Sequence, residues 1–193
     1  GYYRTQKGQN VDWSNQVQAA RKAKVSIPPD CVLPNDHLPT FTATEIQVSN
    51  ETTLGASKRF AEEGLRPLAL NFANGTHPGG GFLRGARAQE EGLCRSSALY
   101  QTLNHDPMYS THRRRPLRDA TDWIIYSPDV PVFRTDDGDE LDTPWSLSFL
   151  TCAAPYAPDV GQPESGNLLQ QRIHRMLAVA RAHRYSSLVL GAW

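Results

Sequence analysis

Three glycines, Gly79, Gly80 and Gly81, are followed after seven residues by Gln89, Glu90 and Glu91, and two asparagines, Asn71 and Asn74, stand just upstream. Consecutive glycines remove side chains where a ligand must touch the backbone, and their amides can converge on an anion or a ribose hydroxyl. Paired carboxylates suit a different task. Cleaving a glycosidic bond needs a carboxylic acid that protonates the leaving oxygen, and that acid works best with its pKa raised toward neutrality. A neighbouring carboxylate and burial would raise it, while a helix N-terminus would lower it. Each half also has a plain reading. A glycine run fits a mobile turn, and acidic residues in a first helical turn complement the helix dipole. Adjacent helical residues point about 100° apart, so Glu90 and Glu91 cannot share one role. One can face a ligand while the other binds a different group or steadies the helix.

These residues need elements to hold them. "PLALNFA" (Pro67 to Ala73) is a short apolar run that reads as a buried strand, and the glycine loop leaves its carboxyl end, where open α/β sheets bind ligands. A helix is predicted from about Ala88 to Leu103. Upstream, Val11 to Lys24 is helical in composition and "SIPPD" stops it; "TEIQVSN" (Thr44 to Asn50) alternates like a strand. Glu51 to Gly64 follows as a helix, capped by Thr52 or Thr53 and ended by Gly64. Trp123 to Phe133 reads as two short strands around a proline turn, and Arg134 to Asp142 as a polar turn whose acidic spacing does not fit a calcium loop. Trp145 to Pro155 is a buried strand. Residues 164–184 form a helix with an apolar stripe at Leu169, Ile173, Met176, Leu177 and Ala180, and His174 and His183 fall on its wet side. Ser186 to Trp193 is a last core strand. Alternating strands and helices predict an α/β layered sheet.

The 193 residues suit one domain. Twenty basic residues balance twenty acidic ones, which argues against non-specific nucleic-acid binding. The three cysteines are far apart and in no metal or redox spacing, as expected of reduced thiols in an intracellular, cytoplasmic protein. No apolar run reaches the roughly 18 residues of a membrane span.

"NFAN" with "GGG" resembles the ribose-binding segment of macrodomains, and "GGG", seven residues, then "QEE" resembles the signature of microbial-type poly(ADP-ribose) glycohydrolases. The resemblance covers about Thr44 to Trp193, with "SFLTCAAP" and "LVLGAW" similar to later family strands. It implies a three-layer α/β/α macrodomain-like sandwich with a mixed central sheet. It also implies hydrolysis of the ribose–ribose bonds of poly(ADP-ribose), releasing ADP-ribose. Glu91 would be the catalytic acid and base, and Glu90 would hold ribose hydroxyls. Gln89 would brace the loop, while Asn74 and the backbone of Gly79, Gly80 and Gly81 would grip ribose and phosphate. No cofactor and no metal are implied. The implied partners are poly(ADP-ribose), ADP-ribose and poly-ADP-ribosylated proteins, with no membrane and no sequence-specific nucleic acid. The alternatives are a non-catalytic ADP-ribose-binding macrodomain and a mono-ADP-ribosyl-protein hydrolase. Residues 1–43 are expected to be a helical or irregular extension packed on the core, and 44–193 the catalytic domain. In the family, the strand resembling "LVLGAW" leads into a second glycine-rich loop around the diphosphate. The expectation is therefore a C-terminally truncated domain that binds weakly by itself. Elsewhere, His77, Arg84, Arg87 and Tyr156 are candidate ligand contacts, and "HRRR" (His112 to Arg115) is a candidate polyanion contact, each with a plain structural reading beside it.

Overall fold

The computed structural model describes residues 1–5, 8–34 and 41–193. Its centre is a five-stranded mixed sheet in the order β3-β5-β6-β4-β7, formed by Val25–Ile27, Ile124–Arg134, Glu140–Cys152, Pro67–Phe72 and Ser187–Val189. β4 runs parallel to both β6 and β7, whereas β5 is antiparallel to β3 and β6. Side chains alternate across the pleat, so β4 sends Ala69 to one core and Leu68 and Leu70 to the other. The first core packs under α2 (Thr53–Glu62), α3 (Gln89–Ser96), α4 (Leu99–Leu103) and α5 (Pro107–Arg113) through Leu54, Leu93, Leu99, Leu103 and Met108. The second packs under α7 (Glu164–Ala182) through Met176, Val179 and Ala180. The result is the expected α/β/α sandwich.

Several elements differ from the sequence reading. Thr44–Asn50 is not a strand. Ile46 and Val48 are 82% and 97% exposed, so alternation finds neither a buried face nor a ladder partner among the described residues. The first helix, α1, spans Ser14–Ala23, because Asn10–Asp12 (β2) instead pairs antiparallel with Tyr2–Arg4 (β1). The chain after α1 enters the main sheet as β3 before Pro28.

The helix predicted over Ala88 to Leu103 breaks at Ser97, which is extended and bridges to Val132. Its hydroxyl accepts the Leu99 N–H and donates to the Leu93 carbonyl, while Ala98 N–H turns to Pro131 C=O. These local bonds compete with the helical ladder and win.

The two strands expected around Pro128 are one, β5, with a register shift between Ser127 and Val130. Asp129 has φ +48° there. The extra residues change which parity faces the first core: Ile125 before the shift, Val130 and Val132 after it.

On α7 the buried face is Arg172, Met176, Val179 and Ala180, and Ile173 and Leu177 are exposed. The face is therefore rotated from the apolar stripe, because a buried arginine occupies one of its positions. His183 is half-buried and stacks on Tyr126 at 3.9 Å, not on the wet side. The last strand is only Ser187–Val189. The helix ending near Gly64 is as expected: Thr52 Oγ1 accepts the Gly55 N–H at 3.0 Å, and Gly64 adopts φ +81°.

Candidate active site

β4 ends at Phe72, and the loop that leaves it folds back onto the start of α3. This brings Asn71, Asn74, Gly79, Gly80, Gly81, Gln89, Glu90 and Glu91 together at the carboxyl edge of the sheet. Seventeen residues of sequence separate Asn71 from Gln89, yet the side chains of α3's first turn are the struts of that loop.

Gln89 grips the strand itself. Its Nε2 donates to Leu70 C=O at 2.7 Å and to Thr53 Oγ1 at 3.2 Å, and its Oε1 accepts the Phe72 N–H at 3.0 Å. Ala73 N–H is bonded to Cys152 C=O of β6, so the alternate residues Leu70 and Phe72 present their polar groups to the opposite edge, that of β7. The β4–β7 ladder stops at the Ala69–Val189 pair. Beyond it the Gln89 carboxamide takes the place of a strand, and β7 ends there.

Glu90 is 3% exposed. One oxygen, Oε1, accepts from Gly79 N–H at 3.2 Å and from Asn71 Nδ2 at 3.3 Å. The other, Oε2, accepts from Asn74 N–H at 2.7 Å. A carboxylate offers about four lone-pair sites, and three are taken here, two on Oε1 and one on Oε2. Burial pushes this carboxyl from 4.5 up to about 7, partly opposed by the bonds from Asn74 and Asn71, with the adjacent Glu91 adding to the rise.

Glu91 is 8% exposed and closes a different loop. Its Oε1 accepts Gly81 N–H at 2.9 Å and its Oε2 accepts Ala88 N–H at 3.1 Å, so both ends of the Phe82–Ala88 segment hang on one carboxylate. The bond from Ala88 is the return half of a capping arrangement at the N-terminus of α3.

The glycines explain how these groups fit. Gly79 and Gly80 have φ +71° and +58°. A Cβ on Gly80 would stand 2.2 Å from Glu91 Oε1 and 3.2 Å from Glu90 Oε2. Only glycine allows this backbone to lie against both carboxylates. Their amides are already engaged, Gly79 with Glu90, Gly80 with the His77 carbonyl and Gly81 with Glu91. The glycine run therefore gives close approach and fixes carboxylates, and does not form an open nest of free donors.

Asn74 is exposed, and its Oδ1 accepts the N–H groups of Thr76 and His77, both at 2.9 Å, which shapes the loop as an Asx turn. Its Nδ2 is left for a ligand.

Other residues hold the site from outside the glycine–glutamate run. Asn71 is wholly buried; its Nδ2 also reaches Thr151 Oγ1 at 3.2 Å on the neighbouring β6. His112, on α5, holds the Gly75 carbonyl through Nδ1 at 2.9 Å, while its Nε2 accepts the Thr121 N–H at 3.1 Å. That pairing fixes the proton on Nδ1, and burial holds the ring below its usual pKa. Arg113 donates to the Thr76 carbonyl at 2.5 Å. Two members of the "HRRR" run thus anchor the loop after β4. Arg172 donates to the carbonyls of Ala153 and Asp119, fixing the end of β6. Asn71 shows in the sequence as the first residue of "NFAN", a polar residue inside an apolar strand. His112 shows only within "HRRR", as a candidate polyanion contact and not as an anchor of the loop, and Arg172 has no sign. Tyr156 is exposed and lies under the Arg118 guanidinium, 3.9 Å from its ring centre.

A buried pair of carboxylates set against three glycines at the edge of a mixed α/β/α sheet is a macrodomain-like arrangement. Comparison with known proteins agrees. Residues 1–135 match the family described as microbial-type PARG, catalytic domain, and the chain belongs to that family. Among solved structures it is similar to the poly(ADP-ribose) glycohydrolase of Thermomonospora curvata, with 40% identity and a TM-score of 0.91 over 100% of this chain and 74% of that one. The same enzyme bound to the inhibitor ADP-HPD matches at 41% identity and a TM-score of 0.91, over 100% and 73% of the two chains. The poly(ADP-ribose) glycohydrolase of Deinococcus radiodurans in complex with ADP-ribose matches at 35% identity and a TM-score of 0.77, over 92% of this chain and 75% of that one. No curated protein matches. Among the described residues, no three His, Cys, Asp or Glu side chains gather as a metal site, and no helix is long and apolar enough to cross a membrane.

Proposed function

We propose that this chain is the catalytic part of a glycoside hydrolase that cleaves the ribose–ribose bonds of poly(ADP-ribose) and releases ADP-ribose. Family membership and the likeness to poly(ADP-ribose) glycohydrolases support the substrate. The observation that carries the mechanism is the division of labour between the two glutamates. The remaining acceptor site of Glu90 takes a ribose hydroxyl, and Asn74 Nδ2 takes a second ligand oxygen. Glu91, pressed against Gly80, protonates the departing ribose oxygen and then draws a proton from water. The wall of Gly79 to Gly81 lets the ribose approach the backbone. Gln89 keeps β4 and β7 apart so that the crevice stays open. Residues 44–193 carry this machinery, and the stretch before them lends β3 to its sheet. Poly-ADP-ribosylated proteins would present the polymer, and three free thiols support a reducing, cytoplasmic setting.

A second reading exchanges the roles, because the carboxyl pushed up to about 7 is Glu90. One comparison separates the two. In the full-length protein, ADP-ribose release from the polymer and ADP-ribose affinity are measured for Glu91→Gln and Glu90→Gln. The expected result is a loss of kcat of about 100-fold or more for Glu91→Gln with affinity retained, in the range of general acid–base contributions, and weakened binding for Glu90→Gln. Lost kcat with full affinity in Glu90→Gln alone would exchange the roles. Equal rates in all three proteins would rule out either glutamate as the acid, and no release by the wild type would sink the hydrolase.

A further inference from the structure

The segment between Gly81 and Ala88 is held firmly and carries two arginines with no ion pair among the described residues. Both of its ends donate to Glu91, at 2.9 and 3.1 Å. Inside it, Arg84 N–H and Ala86 N–H both bond the Gly81 carbonyl, at 2.9 and 3.2 Å. Arg95 Nη1 donates to the Ala86 carbonyl at 2.5 Å, and the Phe82 ring packs on Tyr100 with centroids 4.9 Å apart. At the tip, Leu83 is 73% exposed, and Arg84 and Arg87 are exposed.

Arg59, Arg115, Arg118 and Arg134 are matched with Glu51, Asp119, Asp159 and Glu140, whereas the exposed Arg21, Arg114 and Arg184 have no ion pair among the described residues but lie away from the carboxylates in the sequence. Arg84 and Arg87 have no ion pair among the described residues. In a chain with twenty charges of each sign, two unmatched guanidiniums on a braced loop beside the carboxylates are a local positive field without a structural debtor.

Chemistry says which part of a substrate meets this loop. The group that protonates the leaving oxygen must touch the unit that departs. Since Glu91 is both that group and the tie at each end of the loop, the loop flanks the leaving side of the scissile bond. The leaving unit of poly(ADP-ribose) bears its own diphosphate, and a guanidinium pairs with phosphate oxygens through two parallel N–H bonds. We propose that Arg84 and Arg87 form a subsite for the diphosphate of the polymer unit on the leaving side, so that the enzyme reads the polymer beyond the ADP-ribose it releases. This inference rests on the polymer-hydrolase reading above.

The test compares Arg84→Ala/Arg87→Ala with the wild type in the full-length protein. Initial rates on poly(ADP-ribose) give kcat and KM across a salt series, and calorimetry gives the affinity for free ADP-ribose. The double variant is expected to raise KM on the polymer roughly tenfold, two charge-assisted contacts being lost. Its kcat and its ADP-ribose affinity should stay within twofold. The slope of log KM against log salt should fall by about 1.4, at about 0.7 per phosphate contact on a single-stranded polyanion. Arg84→Lys/Arg87→Lys should recover much of the salt slope. An unchanged KM overturns the subsite. So does a fall in kcat at constant KM, which would make the loop a brace for Glu91 only. An equal loss of ADP-ribose affinity overturns it too, by placing the arginines on the released unit. If the wild type releases no ADP-ribose, the hydrolase reading fails separately. Polymer anisotropy then replaces KM, and the same tenfold difference decides the subsite.

Discussion

Substituting alanine at Gly80 perturbs the candidate site through a single methyl group. The new Cβ would lie 2.2 Å from Glu91 Oε1, against an ordinary contact of 3.4 Å or more, so the carboxylate or the loop must move by roughly 1 Å. The carboxylate cannot yield cheaply, because Glu91 Oε1 also holds Gly81 N–H at 2.9 Å and its other oxygen holds Ala88. A displacement of that size at a reacting group costs about 100-fold in rate, or about 2.7 kcal/mol of transition-state stabilisation. The backbone adds a second cost of roughly 1–2 kcal/mol in folding stability, since φ at Gly80 is +58°. Gly85→Ala separates the two effects. Gly85 has φ +87° and nothing within 4 Å of its would-be Cβ. It should lose the same stability but keep kcat within a few-fold. The assay is ADP-ribose release from polymer at saturating substrate, beside denaturant unfolding of both variants. Gly80→Ala with wild-type kcat, or the two variants losing kcat equally, would refute the claim that the glycine exists to admit the carboxylate.

Two further outcomes follow from the same contacts. Glu90 should make stability depend on pH. Its carboxyl titrates near 7 when folded and near 4.5 when unfolded, so the folded state binds the extra proton between those values. Stability is therefore complete below about 4.5 and falls as pH rises through about 7, by about 3 kcal/mol in all; unfolding curves across that window should show the fall, and Glu90→Gln should flatten it. Gln89→Ala should cost about 2–4 kcal/mol in denaturant unfolding, because Leu70 C=O and Phe72 N–H each lose a partner. A loss below 0.5 kcal/mol would mean that water replaces the carboxamide and that the crevice does not depend on it.

What was legible in the sequence was what local chemistry dictates. The α2 cap at Thr52, the Gly64 stop, the buried run of β4 and the glycine–glutamate spacing are written in neighbouring residues, and each was readable. The errors came where distant partners decided. Thr44 to Asn50 has a strand's alternation, but alternation only becomes a strand when a sheet edge receives it. Ser97 breaks the helix after Glu91 because β5 offers Pro131 C=O and Val132, and those lie more than thirty residues away. The stripe on α7 misjudged the buried face because Arg172 counts as polar by composition, yet two backbone carbonyls and the nearby Asp122 make its burial tolerable. In the candidate site, the expectation of free glycine amides overlooked that nearby carboxylates would claim them first. His112 had no spacing to mark it, since its partners Gly75 and Thr121 are joined to it only by the fold.

A β-ladder is normally indifferent to which side chains its rungs carry, since every residue but proline brings the same amide and carbonyl. At the end of β4 that indifference is lost: one rung is built from the Gln89 carboxamide. How far the sheet zips is thus written in a single codon. A leucine there would leave the Leu70 carbonyl and Phe72 N–H to find partners elsewhere, the chain after Val189 being at hand. A glutamate would set like charge against the Leu70 carbonyl oxygen. Gln89 thereby ties the end of the sheet to the first turn of the helix that carries Glu90 and Glu91, and variation at that position would be felt by both glutamates without altering either of them.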